Sequence, residues 1–154
     1  MTEYEVFARH GEWDAGTGSL TDVGKAQARK LAKHIQLFLA QDDITPNIIS
    51  SEATRAQETA AIIAETLGLS YELTDGLGDV TGRATSESWM MKNLAQYFTL
   101  PGVICVTHTY QANVLSRAAR NNNPLFRNQD IYELPEGGAY MFRHETGEVV
   151  LFRG

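Results

Sequence analysis

The run Val103-Ile104-Cys105-Val106-Thr107 decides the architecture of this chain. It is apolar almost throughout, β-branched at Val103, Ile104 and Val106, and follows the breaker pair Pro101-Gly102. A short continuous apolar run of this kind reads as a strand buried on both faces. Working outward, residues 86–100 form a helix candidate with Trp89, Met90, Leu94 and Phe98 on its apolar face, closed by Pro101. Residues 111–119 form a short helix on the other side. Further upstream, residues 5–8, 47–51 and 69–73 read as short strands. Between the first two, Ala28, Leu31, Ala32, Ile35, Phe38 and Leu39 recur at helical spacing, with Thr21 as the N-cap. Between the second and third, Ala56, Thr59, Ala60, Ile63 and Leu67 mark a helix stopped by Gly68. Residues 139–144 and 148–152 flank Thr146-Gly147 and predict a closing β-hairpin. Strands alternating with helices predict an α/β fold: a three-layer α/β/α sandwich with a mostly parallel central sheet and a C-terminal hairpin.

The chain has 154 residues, 43% hydrophobic and 21% charged, the size and balance of one globular domain. No apolar run approaches the ~20 residues that cross a bilayer. The charge sum of 13 basic against 19 acidic residues gives −6. Such a chain is a poor partner for nucleic acid or an anionic membrane. The N-terminus lacks the basic flank and apolar stretch of a secretory signal. A single cysteine, Cys105, forms no internal disulfide. Together these predict a protein of the reducing cytoplasm.

In parallel α/β sheets ligands bind beyond the C-terminal ends of the strands. The first strand ends in Arg9-His10-Gly11, the second in Ser50-Ser51, with Arg55 in the first turn of the next helix. The buried strand ends in His108-Thr109. Two guanidiniums and two imidazoles thereby converge on one edge of the sheet. Arginine forks match phosphate oxygens and stay charged at physiological pH. A helix N-terminus near Ser51 and Arg55 adds backbone donors, and Gly11 lets the backbone approach closely. A deprotonated imidazole nitrogen is also a nucleophile toward phosphorus, though residue type and placement leave open which histidine would attack. Taken singly, each residue has a structural explanation: a surface turn, a solvated arginine, a satisfied core histidine. His34 and His144 are read as structural. No HxH, HExxH or Cys/His spacing suggests a metal site, and Cys105 reads as an inert core thiol.

At these residues the sequence resembles the histidine phosphatase superfamily, which includes phosphoglycerate mutases and acid phosphatases. The resemblance is carried by Ala8-Arg9-His10-Gly11-Glu12, the segment from Leu20-Thr21 through Gly24 to Ala28, and Ser50-Ser51-Glu52-Ala53-Thr54-Arg55-Ala56-Gln57-Glu58-Thr59-Ala60. Val106-Thr107-His108 and Leu134-Pro135-Glu136-Gly137-Gly138-Ala139 follow in the family's order. It implies the histidine phosphatase fold for residues 1–154 as one domain, with a short cap insert around 82–100. It implies His10 as the nucleophile that becomes phosphorylated, and Arg9, Arg55 and His108 as the rest of the phosphate pocket. Gly11, Glu12, Ser51 and Thr109 stand next to it as substrate-binding candidates. No metal or organic cofactor is implied.

Many members place a proton-donating acid after the third strand. Asp79 matches that position best, ahead of Asp75, Glu12 and Asp14. The compact chain, with its short cap, looks more like the bacterial phosphohistidine phosphatases than like a mutase, with small broad-specificity phosphomonoesterases as the close runner-up. The resemblance thus implies a phosphatase that hydrolyses a phosphomonoester or a phosphohistidine. The expected partner is a phosphorylated small molecule or a phosphoprotein. The competing readings are a non-catalytic module that binds phosphorylated ligands and, less favoured, a phosphoglycerate mutase.

Overall fold

Strand β1 (Tyr4–Arg9) alternates in burial direction, and that alternation sets the layers. Tyr4, Val6 and Ala8 pack into one core with Leu31, Ile35, Ala60 and Ile63. Phe7, one step out of phase, packs into a second core with Met90, Leu94, Leu115 and Phe142. The computed structural model describes residues 3–78 and 87–154. Its helices are α1 (Asp22–Leu39), α2 (Thr54–Leu67), α3 (Glu87–Leu94) and α4 (Thr109–Asn122). The remaining strands are β2 (Asn47–Ser50), β3 (Tyr71–Leu73), β4 (Gly102–Thr107), β5 (Ala139–Arg143) and β6 (Glu148–Phe152). Helices α1 and α2 supply the first core and α3 and α4 the second, so the sheet is covered on both faces.

The sheet order is β3-β2-β4-β1-β5-β6. Pairs β2–β3, β2–β4 and β1–β4 are parallel, whereas β1–β5 and β5–β6 are antiparallel. The expected three-layer sandwich with a closing hairpin is therefore the observed fold. β4 is buried at every residue, as its apolar run requires. The hairpin turns at Gly147, whose φ of +77° suits glycine.

Two local boundaries differ from those expected. The helix expected over 86–100 ends at Leu94, and the chain continues in tight turns: Tyr97 N–H donates to Leu94 O, and Phe98 N–H to Ala95 O. The Thr99 hydroxyl donates to Gln96 O within these turns. The helix expected over 111–119 starts earlier, at Thr109, which makes His108 its N-cap. Thr21 caps α1 as expected, its hydroxyl accepting from Gly24 N–H at 3.0 Å.

Candidate active site

Backbone bonds beyond the regular ladders bring the strand ends together. His10 N–H donates to Thr107 O (3.1 Å) and Ser51 N–H to Val106 O (3.0 Å), so both loops start pinned to the end of β4. From there α2 carries Arg55 in its first turn and α4 begins at His108-Thr109. Neither N-cap, Ala53 nor His108, makes a side-chain capping bond. Two helix N-termini, rich in backbone donors and positive dipole, thus stand at one sheet edge.

These elements enclose a cavity of about 280 Å³ lined by Arg9, His10, Trp13, Arg55, His108, Thr109 and Tyr110. The imidazoles are 4% exposed each, with ring centroids 5.2 Å apart. Their hydrogen bonds assign the neutral tautomers. His10 Nδ1 lies 2.8 Å from the Gly11 carbonyl, which only accepts, so Nδ1 carries the proton. Its Nε2 then presents a lone pair, and Arg55 Nε donates to it at 3.3 Å. In His108 the order is reversed. Arg55 Nη2, a donor only, lies 3.4 Å from Nδ1, so the proton is on Nε2 and donates to Ser51 Oγ at 2.9 Å. Arg55 is the hub on which both unprotonated nitrogens converge.

The second guanidinium is fixed from behind. Arg9 Nη1 donates to Leu134 O at 2.9 Å, while its buried Nε has no hydrogen-bond partner among the described residues. A buried charged donor without an acceptor is costly unless an anion meets it. Cationic donors, amide ends and one imidazole lone pair together make a receptor for a tetrahedral oxyanion.

Of the expected site residues, His10, Arg9, Arg55, His108 and Thr109 meet around this cavity. Gly11, Glu12 and Ser51 stand behind its wall. Ser51 orients His108. Gly11 donates its N–H to Thr59 Oγ1 (3.1 Å), and Thr59 Oγ1 donates to Arg55 O (2.9 Å), tying the His10 loop to α2. A Cβ at Gly11 would lie 2.5 Å from Gly24 O, and one at Gly24 only 2.0 Å from Glu12 O. The two glycines let the loop cross the first turn of α1 in backbone contact. Glu12 is a strut, its carboxylate accepting from Thr21 Oγ1 at 2.6 Å and its N–H donating to Gln27 Oε1 at 2.8 Å.

Among the acid candidates, Asp79 lies outside the described residues. The chain just before it is anchored to the site: Thr107 Oγ1 donates to Leu77 O (2.7 Å) and Gln111 Nε2 to Gly78 O (3.1 Å). Asp14 accepts from Gly16 N–H in an exposed turn, and Asp75 opens a short 3₁₀ turn over 75–77. Neither lines the cavity.

Sequence reasoning did not single out Trp13 or Tyr110 for the site. Trp13 packs its ring 4.0 Å from the Arg55 guanidinium carbon and stands edge-on to His10. Its one sequence signal was an aromatic residue in an otherwise polar loop. His34 stacks on Phe152 and His144 pairs with Glu5, both away from this cavity. Cys105 is buried, and burial with the nearby Glu5 carboxylate pushes its thiol well above the ordinary range. Among the described residues no group of three or more His, Cys, Asp and Glu side chains could hold a metal ion, and no helix is long and apolar enough to cross a membrane.

A sequence model of the histidine phosphatase superfamily (branch 1) matches residues 6–96. No curated protein sequence matches the chain. Solved structures similar to it include the candidate phosphohistidine phosphatase SixA from Agrobacterium tumefaciens, with a TM-score of 0.68 and 19% identity, over 98% of this chain and 96% of that one. A mycobacterial glucosyl-3-phosphoglycerate phosphatase in complex with inorganic phosphate superposes with a TM-score of 0.65 at 20% identity, over 99% and 98% of the two chains. A phosphoserine phosphatase from Entamoeba histolytica, in complex with 3-phosphoglyceric acid, does so with a TM-score of 0.65 at 18% identity, over 100% and 98%. Likeness at this identity is a likeness of fold.

Proposed function

The chain belongs to the histidine phosphatase superfamily, branch 1, and from that premise we propose that it is a phosphatase acting through a covalent phosphohistidine on His10. The observation that carries this reading is the placement of His10. With Nδ1–H held by Gly11 O, the Nε2 lone pair faces the Arg55 fork inside a cavity that also holds Arg9 and His108.

In the first step Nε2 attacks phosphorus in line with the leaving oxygen. The P–N bond forms as the P–O bond breaks, and the leaving oxygen keeps the electron pair. Asp79 is our candidate for the acid that protonates it. Arg9, Arg55 and the amide ends of α2 and α4 hold the equatorial oxygens, whose charge is the main quantity to stabilise in phosphoryl transfer. His108, its Nε2–H held by Ser51 Oγ, lines the same pocket. In the second step water attacks phosphorus and the P–N bond breaks. His10 recovers its lone pair, and inorganic phosphate leaves with the oxygen of water. No step calls on a metal or an organic cofactor.

Residues 1–154 act in this reading as one catalytic domain with a short cap around 82–100, residues 82–86 of which lie outside those described. The solitary, buried Cys105 fits a reducing cytoplasm.

The test is hydrolysis of p-nitrophenyl phosphate in EDTA by the wild type and by His10→Ala. The expected outcome is turnover in the wild type and a loss of more than about 10³-fold in the variant. A folded wild type that binds phosphate but turns over neither this ester nor phosphoimidazole is instead a phospho-ligand-binding module. Asp79→Asn probes the acid: an alkyl ester needs its leaving oxygen protonated, whereas an N-linked phosphoryl group departs readily. Hydrolysis of the alkyl ester should collapse and that of phosphoimidazole survive; equal loss on both removes Asp79 from this role.

A further inference from the structure

The floor of the cavity is cationic, but its rim is aromatic. Trp13 comes from the loop after β1, where an isolated bridge to Leu20 holds it in place. Its indole lies against the Arg55 guanidinium at 4.0 Å and edge-on to His10 at 6.3 Å between ring centroids. Tyr110, the second residue of α4, lines the same cavity with 51% of its surface exposed. The arginines lining the cavity, Arg9 and Arg55, both border the phosphoryl position, and no lysine or further arginine lines it among the described residues. Against these two rings a planar group on the substrate finds contact that an open-chain group does not.

Resting on the phosphatase reading above, we infer that the group carrying the phosphoryl is a flat aromatic ring, either an aryl ester or a ring nitrogen. The chemistry is that of ring against ring. Aromatic side chains hold planar groups in offset or edge-on contact, worth roughly two- to tenfold in affinity per contact. Trp13 also fixes the plane of the Arg55 fork, so the surface that meets the ring orients the donor that meets the phosphoryl.

Non-reacting phosphonates separate recognition from leaving-group chemistry. Calorimetric titration should find phenylphosphonate bound about tenfold more tightly than methylphosphonate by the wild type. Tyr110→Ala should narrow that ratio to about threefold, and Tyr110→Phe should restore it. Equal affinity for the two phosphonates in a wild type that still hydrolyses p-nitrophenyl phosphate overturns the ring inference alone. Failure to bind either phosphonate or inorganic phosphate, with no turnover, overturns the phosphatase reading as well. Among substrates, a kcat/KM for 3-phosphoglycerate equal to that for phenyl phosphate also sinks the inference. The relative kcat/KM of phenyl phosphate and phosphoimidazole tells whether an oxygen or a nitrogen of the ring carries the group.

Discussion

The two ends of β1 use the same side chain for opposite ends. At its C-terminal end His10 faces Arg55, His108 and the cationic cavity. Near its N-terminal end Glu5 pairs with His144, just beyond β5, and Asn123 Nδ2 donates to His144 Nδ1 and to His144 O, each at 3.1 Å. A larger cavity, of about 450 Å³, opens there, lined by Glu5, Met91, Phe98, Leu115 and His144 among others, with no arginine among the described residues. Size therefore does not mark the site. An imidazole among arginines meets an anion, whereas one between a carboxylate and an amide has every partner it needs and ties a hairpin to the sheet.

The largest break in this contrast comes from Arg55. Arg55→Ala should lower kcat/KM by about 10²–10³-fold without loss of fold, since it removes a preorganised charged donor. Arg55→Lys should fail to rescue it, because a point charge cannot address two imidazoles and a phosphoryl group at once. At the opposite end, His144→Ala should leave kcat/KM within about twofold, while a urea titration shows stability lower by about 1–3 kcal/mol from the buried carboxylate left unpaired. Loss of activity there comparable to that of Arg55→Ala would mean that the two ends are coupled. The smallest effect is expected at Cys105, midway along the neighbouring strand. Iodoacetamide on the native protein should leave activity unchanged, because a buried thiol with a raised pKa presents almost no thiolate.

What the sequence made legible was whatever a local pattern encodes. The burial of β4, the Thr21 cap, the Gly147 turn and the convergence of Arg9, His10, Arg55 and His108 all follow from periodicity, capping and the geometry of parallel strands. What it withheld depends on contacts between distant segments. Nothing near Glu12 announces that Thr21 will claim its carboxylate, or that Gly24 must be bare for the chain to cross it. Trp13 stacks on a side chain from another element, and no spacing rule reaches across that gap. The early end of α3 at Leu94 falls among residues of good helical pattern, and no local signal marks it.

The bond from His10 Nδ1 to the Gly11 carbonyl has a consequence for the proposed intermediate. A phosphorylated histidine exists as two positional isomers, according to which ring nitrogen bears phosphorus. Substitution at Nδ1 would require this bond to break and the ring to turn over in a pocket where it is 4% exposed. Substitution at Nε2 requires neither. The trapped enzyme should therefore carry one isomer only, with a single ³¹P resonance belonging to the Nε2 form.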